Sequence, residues 1–148
     1  MALSLMALVV TSAAYAQDSR LKRLETGVTG KAWEAVGRLD IGGRGFCTCA
    51  LIAPRLVLTA AHWLFDKDTK QRIDHGKVQF LAGFRNGRAG AYRDVRRAVV
   101  HPDYVYDGKV SAERVRNDLA LLELVRPIRN TTIVPFDTAA RPRAGDSV

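Results

Sequence analysis

Apolar residues in this chain fall in short runs separated by turn signals, and no long helical period links them. The densest stretch is 51–64, LIAPRLVLTAAHWL. It predicts a strand over 51–53, a turn at Pro54-Arg55, a short buried strand over 56–58 and a helical turn over 60–65. Upstream, Val36, Leu39 and Ile41 alternate patchily over 32–41. Gly42-Gly43-Arg44-Gly45 then forms a turn and 46–53 resumes as a strand, together a β-hairpin. Downstream, 66–77 is densely charged and reads as an exposed loop. A strand follows over 78–84 (VQFLAGF), then turns at Asn86-Gly87 and Ala89-Gly90. Over 92–100, Tyr92, Val95 and Val99 are the apolar positions of another strand. A polar loop covers 107–116, an apolar strand 119–124 ends before Pro127, and a final strand is expected over 131–136. Many short strands punctuated by turns predict an all-β barrel or sandwich. There is no internal repeat.

Composition narrows the picture little. The chain has 148 residues, 26 % charged and 47 % hydrophobic, the balance of one modest globular domain. Its net charge is +8, but the arginines are scattered over several segments without interleaved aromatics. This favours a solvated basic surface over a specific nucleic-acid platform. Residues 1–16 read as a signal peptide ending in Ala14-Tyr15-Ala16, although no Lys or Arg precedes the apolar run. That run is too short to span a bilayer. The expected organisation is therefore a signal peptide over 1–16, a leader or pro-segment over 17–31 and a barrel domain over 32–148, secreted to the extracellular space or periplasm.

Two residues carry candidate chemistry. His62 closes the apolar hairpin behind the small residues Ala60 and Ala61, at a rim suited to a general base. Asp118 stands at the mouth of an apolar strand, where an unpaired charge is costly to bury and an imidazole N–H is a natural partner. The bland alternatives are a core histidine and a carboxylate capping a turn. His101 precedes Pro102 and reads as structural, and His75 as solvated. Cys47 and Cys49 share one face of a strand, and a bond between them would be strained. With His62 they lack a fourth ligand for zinc. No metal or cofactor is expected.

The stretch 51–62 resembles the histidine motif of the trypsin/chymotrypsin-like serine proteases (peptidase S1), which ends Val-Leu-Thr-Ala-Ala-His-Cys. NDLALLEL at 117–124 resembles that family's aspartate motif, and His101-Pro102-Asp103-Tyr104 its His-Pro-x-Tyr element. The resemblance implies an antiparallel Greek-key β-barrel of the trypsin-like type, the first of two, with the second absent from this chain. It implies His62 as base and Asp118 as its carboxylate. The family's nucleophile lies in Gly-Asp-Ser-Gly-Gly within the second barrel. Gly145-Asp146-Ser147 is followed by Val148 and does not supply it. The expected protein is thus a secreted serine endopeptidase half, with His and Asp but no nucleophilic serine, inactive alone. Its partner would be a protein or peptide substrate once a second barrel completes it. The alternative is a pseudo-protease or secreted binding module, with polyanions as one ligand class. The family's usual partner for Cys47 would stand at 63, where this chain has Trp63, so that bridge cannot form. No Ile-Val-Gly-Gly motif follows a basic residue, so activation through a buried amine is not expected. No oligomeric state is implied.

Overall fold

A computed structural model of the chain describes residues 30–139. Six strands make up the fold: β1 (Val36–Ile41), β2 (Phe46–Ala53), β3 (Leu56–Thr59), β4 (Val78–Ala82), β5 (Ala91–Val100) and β6 (Ala120–Leu124). They close into an antiparallel barrel in the order β1-β2-β3-β6-β5-β4, with β4 hydrogen-bonded back to β1. Closure removes free sheet edges, which would otherwise present unpaired amides and carbonyls. Strand alternation then separates the faces. Leu39, Ile41, Cys47, Cys49, Leu51, Val57, Phe80, Leu122 and Leu124 point inward and are buried. Burial of a side chain such as Phe80 contributes about 2–3 kcal/mol.

The hairpin over 36–53, the strand over 56–59 and the turn that follows it lie where the hydrophobic pattern puts them. At the β4–β5 hairpin, Asn86 and Gly87 both take positive φ, 51° and 78°, as a tight primed turn requires. Four details differ from the sequence reading. β4 stops at Ala82 instead of 84, because Gly83 turns the chain at φ +60°. Tyr92 and Val99 face outward, 47 % and 49 % exposed. A register shift between Val95 and Arg97 reverses the alternation, so Ala91 and Val95 point inward before it and Ala98 and Val100 after it. The loop over 107–116 contains a one-turn helix, α1 (Ala112–Arg116), N-capped by Ser111, whose Oγ accepts the Arg114 N–H at 3.1 Å. Residues 131–136 form no strand, since the closed ring offers no edge to pair with. Ile133 is instead buried as a plug, its turn held by Asn130 Oδ1 accepting the Thr132 and Ile133 N–H groups. Phe136 N–H donates to the Leu51 carbonyl.

Cys47 and Cys49 are free, buried thiols facing the barrel interior. Cys47 Sγ lies 3.6 Å from Thr59 Oγ1, and Cys49 donates to the Gly37 carbonyl at 3.5 Å. Burial pushes both thiols above their ordinary range, and the Cys47 sulfur adds to the effect at Cys49. The thiolate is the reactive form, so neither thiol is available in the folded barrel. Among the described residues, no helix is long and apolar enough to cross a membrane.

Two outcomes are expected. A β-carbon at Gly37 would stand 2.4 Å from the Phe80 ring and 2.5 Å from the Leu81 carbonyl oxygen. Gly37→Ala should therefore cost about 1–3 kcal/mol in urea unfolding, with an unchanged value indicating that the β1–β4 approach is looser. A thiol reagent at mildly alkaline pH should label Cys47 and Cys49 only on unfolding. Because the unfolded chain releases these protons first, stability should also fall as pH rises past the ordinary thiol range, where the folded thiols stay protonated.

Candidate active site

β3 hands the chain directly to the 3-10 turn Ala61–Leu64. Ala60 is still extended, at φ −81° and ψ 140°, and the turn begins after it. Ala61 and Leu64 are both fully buried and fasten the turn to the barrel. The two residues between them, His62 and Trp63, are left at the surface. Their rings lie 5.1 Å apart at 38°. A larger side chain than Ala61 would compete with the core for this anchoring position.

Asp118 reaches the same lip from the opposite direction. It stands just past Asn117, the C-cap of α1, and its N–H donates to the Val115 carbonyl at 3.3 Å. β3 and β6 then pair antiparallel with Thr59 opposite Ala120, so the end of one strand and the start of the other lie side by side. Residues 56 positions apart in sequence meet there. The Asp118 carboxylate accepts twice from one residue: Oδ1 from the His62 backbone N–H at 2.8 Å, Oδ2 from Nδ1 at 2.6 Å. An ionised carboxylate can only accept, so Nδ1 carries a proton and, in the neutral ring, Nε2 presents a lone pair. Nε2 bonds to no other described residue. The His62 side chain is 39 % exposed and that of Asp118 20 %, so the carboxylate is the more sheltered of the two. The imidazole can therefore take a proton through Nε2 while the carboxylate fixes its tautomer and orientation.

A cleft of about 620 Å³ opens beside His62. Trp63, Phe65 and Tyr106 line it together with Asp66 and Asp68. Asp66 Oδ1 accepts the Thr69 and Asp68 N–H groups and the Thr69 hydroxyl, while Oδ2 pairs with Arg44 at 2.6 Å. Those amides, Thr69 first, hold its carboxyl below the usual range. The charged loop expected over 66–77 is thus held by carboxylates, Asp66 at its start and Asp74, which accepts the Gly76 N–H, near its end. Tyr104 lies under the Asp118 loop. Burial pushes its hydroxyl above the ordinary range, and the nearby Asp118 charge pushes the same way.

The other candidates are placed elsewhere. His101 shapes a turn: its N–H donates to the Leu119 carbonyl, and its Nδ1 accepts the Asp103 N–H at 3.3 Å. His75 stands in the 3-10 turn His75–Lys77. Cys47 and Cys49 face the core and His62 the surface, so the three are not gathered around a common point. Among the described residues no group of three or more His, Cys, Asp and Glu is set to hold a metal ion. Gly145-Asp146-Ser147, the signal segment over 1–16 and residues 17–29 of the leader expected over 17–31 lie outside the described residues. Sequence reading did not single out Trp63, Phe65 or Tyr106 as neighbours of the site. Trp63 was legible only as the residue after His62, and Tyr106 lies in a segment without periodicity.

Comparison with known proteins agrees with the geometry. The family model described as Trypsin matches residues 26–148. The mouse (Mus musculus) complement C1r-A subcomponent is 33 % identical over 97 residues, 62 % of this chain. The match spans only 13 % of that protein's length. A family model covering most of the chain, over a closed antiparallel barrel that brings His62 to Asp118, places this protein in the trypsin family of serine proteases.

Proposed function

We propose that this chain is the base-bearing barrel of a secreted serine endopeptidase. One observation carries the reading: the double acceptance by Asp118 that fixes His62 with Nε2 outward beside a cleft. In peptide-bond hydrolysis, Nε2 would take the proton of an attacking serine hydroxyl and return it to the leaving amine. Asp118 would hold the tautomer and stabilise the imidazolium as it forms. The Nδ1–H bond to the carboxylate strengthens as positive charge develops on the ring, which is when stabilisation accelerates the reaction, while the backbone N–H keeps the carboxylate in place.

The attacking hydroxyl belongs, in this reading, to a second barrel packed against the face that carries His62. Ser111 is the sole serine among the described residues, and its hydroxyl is engaged as the cap of α1. The Gly-Asp-Ser-Gly-Gly pattern does not occur in these 148 residues. The groups that stabilise the oxyanion and read the substrate side chain would come with the nucleophile. The chain by itself would fold as a barrel, hold its imidazole ready and hydrolyse nothing. Secretion is supported by the pattern over 1–16.

The natural gene product isolated from its source should react with a serine-directed fluorophosphonate probe and cleave peptides. In that protein Asp118→Asn should leave folding intact and lower kcat about 10⁴-fold, the size of effect expected when the imidazole adopts the wrong tautomer. His62→Ala should lower it at least as far. The 148-residue chain alone should be inert to the probe. Hydrolysis that survives His62→Ala would refute the assignment. A natural product inert to the probe would favour a binding module on the same barrel.

A further inference from the structure

The Asp118 carboxylate bonds to no described residue except His62. Its aim is therefore set by the backbone that delivers it, the last turn of α1. The Asn117 N–H donates to the Glu113 carbonyl and the Asp118 N–H to the Val115 carbonyl. Yet α1 is only five residues long and contains no buried residue. A single helical turn does not hold itself together in water. Ser111 caps its start, but a cap ties the helix only to its own chain.

Two side chains anchor this segment to the rest of the molecule: Asn117, at its C-terminal end, whose Nδ2 donates to the Asp103 carbonyl at 3.3 Å, and Arg114, which alone of the two reaches the aromatic rings beside the His62 turn. Its Nε donates to the Tyr104 hydroxyl at 3.2 Å, and Nη1 bonds the Lys109 carbonyl. Its guanidinium stands 4.7 Å from the centre of the Tyr106 ring and 5.9 Å from that of Tyr104. Phe65 stacks on Tyr106 at 5.1 Å with an interplanar angle of 12°, and meets Tyr104 at 5.9 Å. Phe65 closes the turn that carries His62, its N–H donating to the His62 carbonyl. Lys70 Nζ adds a second cation 5.7 Å from the Tyr106 centre. The cluster thus ties the His62 segment to the Asp118 segment at a second place, outside the carboxylate–imidazole contact.

We propose that Arg114 is a positioning residue: through Tyr104, Tyr106 and Phe65 it fixes the distance and angle at which Asp118 meets His62. This rests on reading the pair as base and orienting carboxylate. Arg114 touches neither substrate nor the reacting atoms. Arg and Lys are not equivalent here, because only the planar guanidinium can lie over the rings and also donate through Nε.

The test is proton NMR of the His62 Nδ1–H in the 148-residue chain, reading its exchange with solvent. Asp118→Asn supplies the reference for a lost contact. Arg114→Met, which keeps the stem and removes the fork, should speed exchange about tenfold. Arg114→Lys should fall between Arg114→Met and the wild type. Tyr104→Phe removes only the acceptor hydroxyl, and should also speed exchange. It serves as the measurement should Arg114→Met not fold. Arg55→Met is the stability control. Arg55 holds the Leu124 and Val125 carbonyls at the far end of β6, and its loss should weaken the barrel without changing the His62 signal. Exchange unchanged in Arg114→Met and Tyr104→Phe, or quickened equally by Arg55→Met, would overturn the proposal. If Asp118→Asn matches the wild type, the reading of the pair fails and the positioning role fails with it.

Discussion

The antiparallel pairing of β3 with β6 makes a site out of residues that the sequence keeps 56 positions apart. Thr59 opposite Ala120 fixes the register, and three residues further along one strand and two back along the other the imidazole and carboxylate must meet. A slip of one residue would turn Val57, Leu122 and Leu124 out of the core. The same apolar alternation that stabilises the barrel therefore aligns the pair. Two charge-assisted hydrogen bonds from one residue then fix a ring that rotation about its side chain would otherwise leave undefined.

The barrel was legible because its strands are short, apolar and separated by strong turn signals. Residues 51–64 were clearest, since alternation, Pro54-Arg55 and the small pair Ala60-Ala61 all point to one local structure. His62 and Asp118 were found through spacing and motif, which pure periodicity would not have singled out. The bulge at Val95 was not legible: a register shift depends on the partner strand, and nothing local in Tyr92 or Val99 announces it. The expected strand over 131–136 failed for a reason outside its own sequence, the lack of an open edge. α1 left a weak trace, Ser111 ahead of a charged run without apolar stripe, and the contacts that Arg114 and Asn117 make outside it cannot be read from its own propensity.

The basic composition also takes on a local meaning. Glu123, facing outward from β6, lies within ion-pair distance of Arg55, Arg96 and Arg97, so part of the positive excess surrounds a carboxylate. Arg38 pairs with Asp40 and lies over Phe46, and Arg44 pairs with Asp66. Such surface pairs are individually weak, and they speak for a solvated barrel wall more than for a polyanion site. Trp63 follows His62 at the surface, and in the interior the thiols of Cys47 and Cys49 bond within the core. This barrel holds its histidine turn by burying Ala61 and Leu64, without a covalent tie.

The central claim is that Asp118 holds the His62 imidazole with its proton on Nδ1 and its lone pair on Nε2. Nitrogen-15 NMR of the His62 ring, taken at a pH where the ring is neutral, reads this directly. The expected spectrum shows a protonated, pyrrole-like Nδ1 and an unprotonated Nε2, with that preference lost in Asp118→Asn. A wild-type ring with its proton on Nε2, or one that exchanges freely between the two nitrogens, would contradict the claim.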